Sequence, residues 1–312
     1  MNLVPWISLF YIAIPKASRV NRFLFISCIC LIPLLPVMSQ ELFYYSVNSR
    51  PVDQIEEALT LKEVDDKSDR KVVITTREKR EDRWIVVSKE KIRALNGDEW
   101  KIHYKAERLF ASKFYRQYRE TEPGHFFFSE YTPSSTIRSG VTTGRFPIHL
   151  EGTVTEYWPN GEVKSISEYR NNQLVSNQNW LEDGTPYIDS VFYSADQEPE
   201  YEYGPEFFRK YIMQQINRSE WDLSQIQDKV VIGWVVMETG NLEGAIALEG
   251  KSRQLNQFLA NVISNMPGAW QPARLNGVPV RYFMQIPLNF EVRDVNFQEL
   301  DYSTGRLHYS KY

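Results

Sequence analysis

Cysteine is almost missing from this chain of 312 residues: only Cys28 and Cys30 occur, and both lie in an apolar run near the start. A product lacking that run has no disulfide and no thiolate metal site. Histidine is as scarce. His103, His125, His149 and His308 stand far apart, and none has a second ligand at metal-binding spacing. No G-x-S-x-G, P-loop or dinucleotide-binding glycine pattern occurs, so no catalytic residue and no cofactor are expected. The formal net charge is −4 and no basic stripe is apparent, which speaks against a nucleic-acid partner. Long apolar runs are also lacking beyond the first forty or so residues.

What is present begins with a compartment signal. Asn21-Arg22 precede the apolar run Phe23–Met38, which is followed by Ser39-Gln40-Glu41. A basic flank, a short apolar core and a small residue before a polar start describe a secretory signal peptide. The run holds Pro33 and Pro36 and is shorter than the roughly 20 apolar residues a bilayer crossing takes. Cleavage near Ser39 is therefore expected, with a retained anchor as the lesser reading. A second apolar stretch, Leu3–Ile14, precedes Lys16, Arg19 and Arg22, which fits an over-extended start with initiation at Val20; a two-segment membrane hairpin is the rival. Lipidation at Cys28 is disfavoured, because most of the apolar stretch lies downstream of it.

Three zones follow. Residues 40–124 mix strand-like runs, Lys71–Thr76, Arg83–Ser88 and Trp100–Lys105, with dense charge. The intervening DDKSDRK and REKRED interleave both signs and read as a solvated hairpin end or strand flank rather than a charged ligand-binding face. Residues 125–198 read as short strands between turns. Tyr157-Trp158 ends one strand, Pro159-Asn160-Gly161 turns, and Val163–Tyr169 returns. The pattern recurs 23 residues on at Trp180-Leu181-Glu182-Asp183-Gly184, and a degenerate earlier copy is read at Tyr131-Thr132-Pro133. Repeats of this period imply stacked hairpins.

Residues 199–292 form the third zone, ahead of a tail at 293–312. Pro205-Glu206 open an amphipathic helix, Phe207–Ile216. Lys229–Thr239 is a buried strand, Gly240-Asn241 turn it, and Leu242–Glu249 return. Ser252–Met266 is a second helix with Ser252 as N-cap and Pro267-Gly268 as its stop. The Asn276-Gly277 turn then leads into a last strand, Val278–Val292. The expected order is α-β-β-α-β. Trp158, Trp180, Trp234 and Trp270 read as packing residues, and Glu238 and Glu243, flanking the Gly240 hairpin, as solvated charges rather than an acid/base pair.

Two resemblances follow from these residues. The aromatic–x–(Asn/Asp)–Gly turns at 157–161 and 180–184 resemble the bacterial MORN-like repeat, which implies an antiparallel hairpin sheet used as a scaffold or protein-contact surface. The third zone resembles the TonB C-terminal domain. The residues that carry this are Phe208–Ile212, Gly233-Trp234-Val235-Val236 before Gly240, Met266-Pro267 with Trp270 and Pro272, Asn276-Gly277-Val278-Pro279-Val280 and Ile286-Pro287-Leu288-Asn289-Phe290. The approach Pro199-Glu200-Tyr201 and Gly204-Pro205 matches Bacteroidetes-type relatives. Two departures are Asn217-Arg218, where the family carries Tyr-Pro, and the lack of a long Pro/Lys/Glu-rich linker.

The fold class so implied is α+β: a MORN-like antiparallel hairpin sheet followed by a small TonB-type domain with a three-stranded antiparallel sheet. In that family the last strand offers its main chain to an extended peptide from an outer-membrane receptor. Carried onto this chain, the candidate edge is Arg281, Tyr282, Phe283, Met284, Gln285 and Ile286, with Arg281, Phe283 and Gln285 on one face and Tyr282, Met284 and Ile286 on the other. Cover of that edge by a homodimer partner or by residues 296–312 is the alternative, and a proline at Met284 is the test it suggests. The expected function is a non-enzymatic protein- or peptide-binding module in the periplasm or envelope of a Gram-negative bacterium. An energy transducer of TonB-dependent transport is the second reading, and membrane association is expected only with the leader retained.

Overall fold

The computed structural model describes residues 40–106, 111–221, 226–291 and 294–296, the last stretch and Glu291 as backbone only. The leader, both cysteines, His308 and the tail beyond 296 lie outside the described residues. The described chain is mostly β with two α-helices.

Alternation of apolar and polar residues drives one long antiparallel sheet. Its strands are β1 (Gln40–Tyr45), β2 (Pro51–Val52), β3 (Thr60–Ser68), β4 (Lys71–Arg80), β5 (Arg83–Ala94) and β6 (Glu99–Ala106). They are followed by β7 (Ser112–Glu122), β8 (His125–Tyr131), β9 (Thr136–Arg145), β10 (Ile148–Tyr157), β11 (Val163–Arg170) and β12 (Gln173–Asn179). The strand order runs from β12 down to β3 in unbroken sequence, then β1 and β2. No break falls at residue 124, because β7 and β8 pair across it from Tyr115–Tyr131 to Glu122–His125. DDKSDRK and REKRED are the strand ends and turns of the β3–β4 and β4–β5 hairpins. In the second, Glu81 and Asp82 both take positive φ, the mirror-image turn that suits strand twist.

The sheet curls around a single apolar core. Val72, Ile74, Ile92, Ile102, Phe114, Phe128, Leu150 and Val154 all belong to it, drawn from six strands. The two ends come within bonding distance: Asn48 donates to the Leu174 carbonyl at 2.9 Å and Asn172 to that of Ser49 at 3.0 Å. Curling removes most of the exposed edge that so long a sheet would carry.

The 23-residue repeat is visible in hydrogen bonds. Trp158 N–H donates to Glu162 O and Gly161 N–H to Trp158 O; Leu181 and Gly184 repeat both bonds with Thr185 and Leu181. The Asn160 and Asp183 carboxyamide and carboxylate accept from Glu162 and Thr185 N–H, each at 2.9 Å. One copy sits on the other through Trp158 Nε1 to Trp180 O at 3.0 Å and Asn160 Nδ2 to Glu182 O at 2.8 Å. The Thr132 turn differs, since its hydroxyl gathers the Ser134 and Ser135 N–H groups itself. After the second turn the chain returns along β12 without forming a regular strand: Tyr187 N–H donates to Asn179 O and Ser190 N–H to Asn177 O. It runs through β13 (Val191–Phe192) and β14 (Glu200–Tyr201) into the C-terminal part.

That part contains α1 (Gly204–Arg218), β15 (Asp228–Val236), β16 (Leu242–Glu249), α2 (Arg253–Ser264), β17 (Trp270–Gln271), β18 (Ala273–Leu275), β19 (Val278–Glu291) and β20 (Asp294–Asn296). Pro205 sits in the first turn of α1, where its missing N–H costs nothing. The Ser252 hydroxyl caps α2 by accepting from Leu255 N–H at 3.3 Å. The helices bury Phe208, Ile212, Ile216, Leu255, Leu259 and Ile263 against Val230, Ile232 and Trp234 of β15 and Tyr282, Met284 and Ile286 of β19. Trp234, fully buried, stacks on Phe208 with centroids 5.7 Å apart. Trp270 joins the same core, as a packing residue would.

Gly240 makes the β15–β16 connection possible. Its φ is +84°, and a Cβ there would lie 2.2 Å from the Trp270 carbonyl oxygen, while its own carbonyl accepts from Trp270 N–H. Gly240→Ala is expected to lower stability by about 1–3 kcal/mol through left-handed backbone strain and a backbone clash. Chemical denaturation measures this, and an unchanged midpoint would refute the argument.

Candidate functional site

The sheet of the C-terminal part has the order β13-β19-β15-β16, with β18 and β20 also paired to β19. The three antiparallel strands expected from the sequence are joined by a fourth, β13, which runs parallel to β19. It pairs Val191 with Arg281 and Phe192 with Tyr282. Sequence reasoning missed it because two residues of a linker carry no strand periodicity. The pairing exists only because the long sheet delivers them there.

The direction of each main-chain group in β19 follows from the hairpins. Leu275 pairs with Val278 across the two-residue Asn276-Gly277 turn, both residues at positive φ. In such a hairpin Val278 and every second residue after it point their main-chain groups to that side. β15 takes over the same side from Tyr282 to Phe290. Even-numbered residues of β19 therefore bond to β15 and β18, and odd-numbered residues face the opposite edge. On that edge β13 covers Arg281 and Tyr282, and β20 covers Asn289–Glu291. Among the described residues, no strand pairs with Phe283–Leu288 there. The open stretch offers the C=O of Phe283, the N–H and C=O of Gln285 and the C=O of Pro287, the Phe283 N–H being turned to Phe192 of β13. A proline at 287 loses nothing, because its absent N–H would have faced the open side.

Both faces of β19 are covered. Tyr282, Met284 and Ile286 lie in the helix-side core, while Phe283 packs with Val191 and Val235 on the other face. Tyr193 stands edge-on to Phe283 at 6.0 Å. Burial pushes the Tyr193 hydroxyl well above its ordinary range, with the Glu156 carboxylate of β10 adding to the effect. The Arg281 guanidinium holds Glu238 at 3.0 Å and donates to the Asp189 carbonyl at 2.9 Å. Hydrogen bonding to Arg281 keeps the Glu238 carboxyl below the usual carboxylate range. Glu238 is thus committed to Arg281, and Glu243 remains exposed.

Asn177 of β12 clamps the linker that brings β13 to the site. Its Nδ2 donates to Val191 O at 2.7 Å and its Oδ1 accepts from Val191 N–H at 2.9 Å, as a neighbouring strand would. Asn179 adds a bond to Ile188 O at 2.9 Å, and Tyr187 donates its hydroxyl to Gly244 O at 2.6 Å. Because Val191's own main chain is taken by Asn177, Arg281 must bond to the residues on either side of it, as parallel pairing provides.

The three histidines among the described residues, His103, His125 and His149, are not brought together. His103 lies on the outer face of β6, His149 shares a bond with Asn171 at 3.0 Å, and among the described residues no group of His, Cys, Asp and Glu could hold a metal ion. Also among the described residues, no helix is long and apolar enough to cross a membrane. An open groove of about 300 Å³ lies along β1 and β2, lined by Leu42, Tyr44, Pro51 and Asp53, with His149 beside it. No model of a protein family, no curated protein and no solved structure matches this chain.

Proposed function

We propose that this chain is a non-enzymatic binding module of the bacterial envelope. Its C-terminal part, of the TonB C-terminal type, takes an extended protein or peptide segment by strand addition, and its hairpin sheet, of the MORN-like type, is the scaffold. The α-β-β-α-β order supports the first type and the 23-residue repeat of turn bonds the second. The observation that carries the function is the edge Phe283–Leu288, which no strand pairs among the described residues and which β13 and β20 bound. Six residues of extended chain span about 20 Å, enough for a short peptide to make several main-chain bonds.

The proline test moves from Met284 to Gln285. Met284 lies opposite Trp234 and faces β15, so a proline there breaks the fold and reports nothing about binding. Gln285→Pro removes an outward N–H, two residues before a proline the strand already accommodates. Peptides selected by display against the full chain are expected to bind the variant about tenfold more weakly or worse, with the thermal transition retained. Equal binding to both proteins would remove strand addition at this edge.

A further inference from the structure

The charges of β4–β7 interleave in sequence but separate in space. In Lys89-Glu90-Lys91-Ile92-Arg93, Ile92 is buried in the core and Glu90 is partly buried, while Lys89, Lys91 and Arg93 are exposed. A period of two assigns alternate residues to opposite faces, so the acid goes inward and the bases outward. Neighbouring strands repeat this. Lys101 and Lys105 are exposed on either side of buried Ile102, and Lys113 is exposed beside buried Phe114.

Register then brings like charges together. Lys71 lies directly opposite Arg93, and Arg93 opposite Lys101. Lys89 lies opposite Lys105, and His103 sits between Lys91 and Lys113. Directly opposed like charges destabilise a sheet. Seven cations thus share a patch of roughly 15 Å by 15 Å, with spacings of about 5–7 Å. None is ion-paired among the described residues, although Arg77, on the same strand as Lys71, pairs with Glu63. Among the described residues, acids flank the patch at its border, in Glu63 and Asp65 of β3 and in Glu99, which is tied to the Tyr131 hydroxyl.

We infer that the outer face of β4–β7 is a docking surface for an anionic lipid bilayer. The patch extends in two dimensions across four strands on the outer side of a curled sheet. Six of its seven cations are lysines. The lysine point charge suits a fluid array of headgroups, whereas arginine's fork suits phosphates in fixed geometry. Base stacking has no platform inside the patch: Tyr115, the aromatic at its margin, is half-buried and stacked on Tyr131. This inference does not depend on strand addition at β19.

The test is co-sedimentation of the full chain with vesicles of phosphatidylcholine mixed with phosphatidylglycerol, and with phosphatidylcholine alone. Binding is expected only to the anionic vesicles and is expected to fall as salt is raised. Lys91→Thr/Arg93→Thr/Lys101→Thr keeps strand propensity and relieves repulsion, so its thermal transition should not fall. Its vesicle affinity is expected to drop about a hundredfold, since each basic residue near an anionic surface contributes a factor of about five. Lys210→Gln/Arg218→Gln/Arg253→Gln makes the same net-charge change elsewhere and should leave affinity nearly intact. Failure of the wild type to bind anionic vesicles overturns the inference, as does an equal loss in both triple variants. Tighter binding to single- or double-stranded polynucleotide than to vesicles overturns it in favour of nucleic acid.

Discussion

Glu130→Ala is expected to cost about 3–5 kcal/mol, the largest single effect in the long sheet, because it removes the carboxylate that the buried Arg116 and the partly buried Arg138 share. Glu130 and Arg116 are both buried, with side-chain exposures of 1% and 4%. Arg116 Nε donates to Glu130 Oε1 and Arg138 Nε to Oε2, each at 2.7 Å. Glu90 approaches Arg116 at 3.8 Å, too far to replace the lost partner. Burial alone would raise the Glu130 pKa, but Arg138 and Arg116 outweigh it and hold the carboxyl at about 2. A depressed folded-state value stabilises the fold fully above the ordinary carboxylate range, and the contribution disappears as pH falls towards 2. By linkage, this one group accounts for about 3 kcal/mol of acid sensitivity. Urea unfolding of wild type and Glu130→Ala from neutral pH to about pH 2 should show the gap between them closing over that window. A gap that stays constant would mean that Glu130 is not held down by its arginines. Glu130→Gln keeps an acceptor without the charge and should fall between the two.

Asn177→Ala is expected to cost about 3–4 kcal/mol, since it orphans the buried N–H and C=O of Val191 at about 1–3 kcal/mol each, less what water recovers. Val191 is 2% exposed and belongs to the small core with Val235 and Phe283, so its main chain has nowhere else to bond. The consequence at the site is specific. With β13 loosened, the Arg281 amide should exchange its hydrogen faster, while the amides of Met284 and Ile286, which face β15, keep their protection. The open edge would lengthen from Phe283 towards Arg281, and peptides that add to β19 should bind more tightly. If Arg281 exchange is unchanged, the Asn177 clamp does not hold β13 in place.

The C-terminal elements were legible because each carries a local signal. Pro205 and Ser252 start helices, Gly240 and Asn276-Gly277 turn strands, and Leu255, Leu259 and Ile263 mark a helical stripe. The 23-residue turn pattern was equally plain, being a matter of Trp, Asn or Asp and Gly at fixed offsets. Neither the long sheet's continuity across residue 124 nor its curl was legible, since strand pairing is a relation between segments. Glu130, Arg116 and Arg138 gave no warning either. Each is an ordinary charged residue in its own strand and becomes a buried network only when β7, β8 and β9 align in register.

By itself the sequence determined both helices, the hairpins of the C-terminal part and the two repeat turns, because those depend on neighbours a few residues apart. The tertiary structure decided what lies beside β19 and which charges share a face. Pairing order and register bring together residues as distant as Val191 and Arg281, or Lys71, Arg93 and Lys101, and no local pattern encodes that meeting.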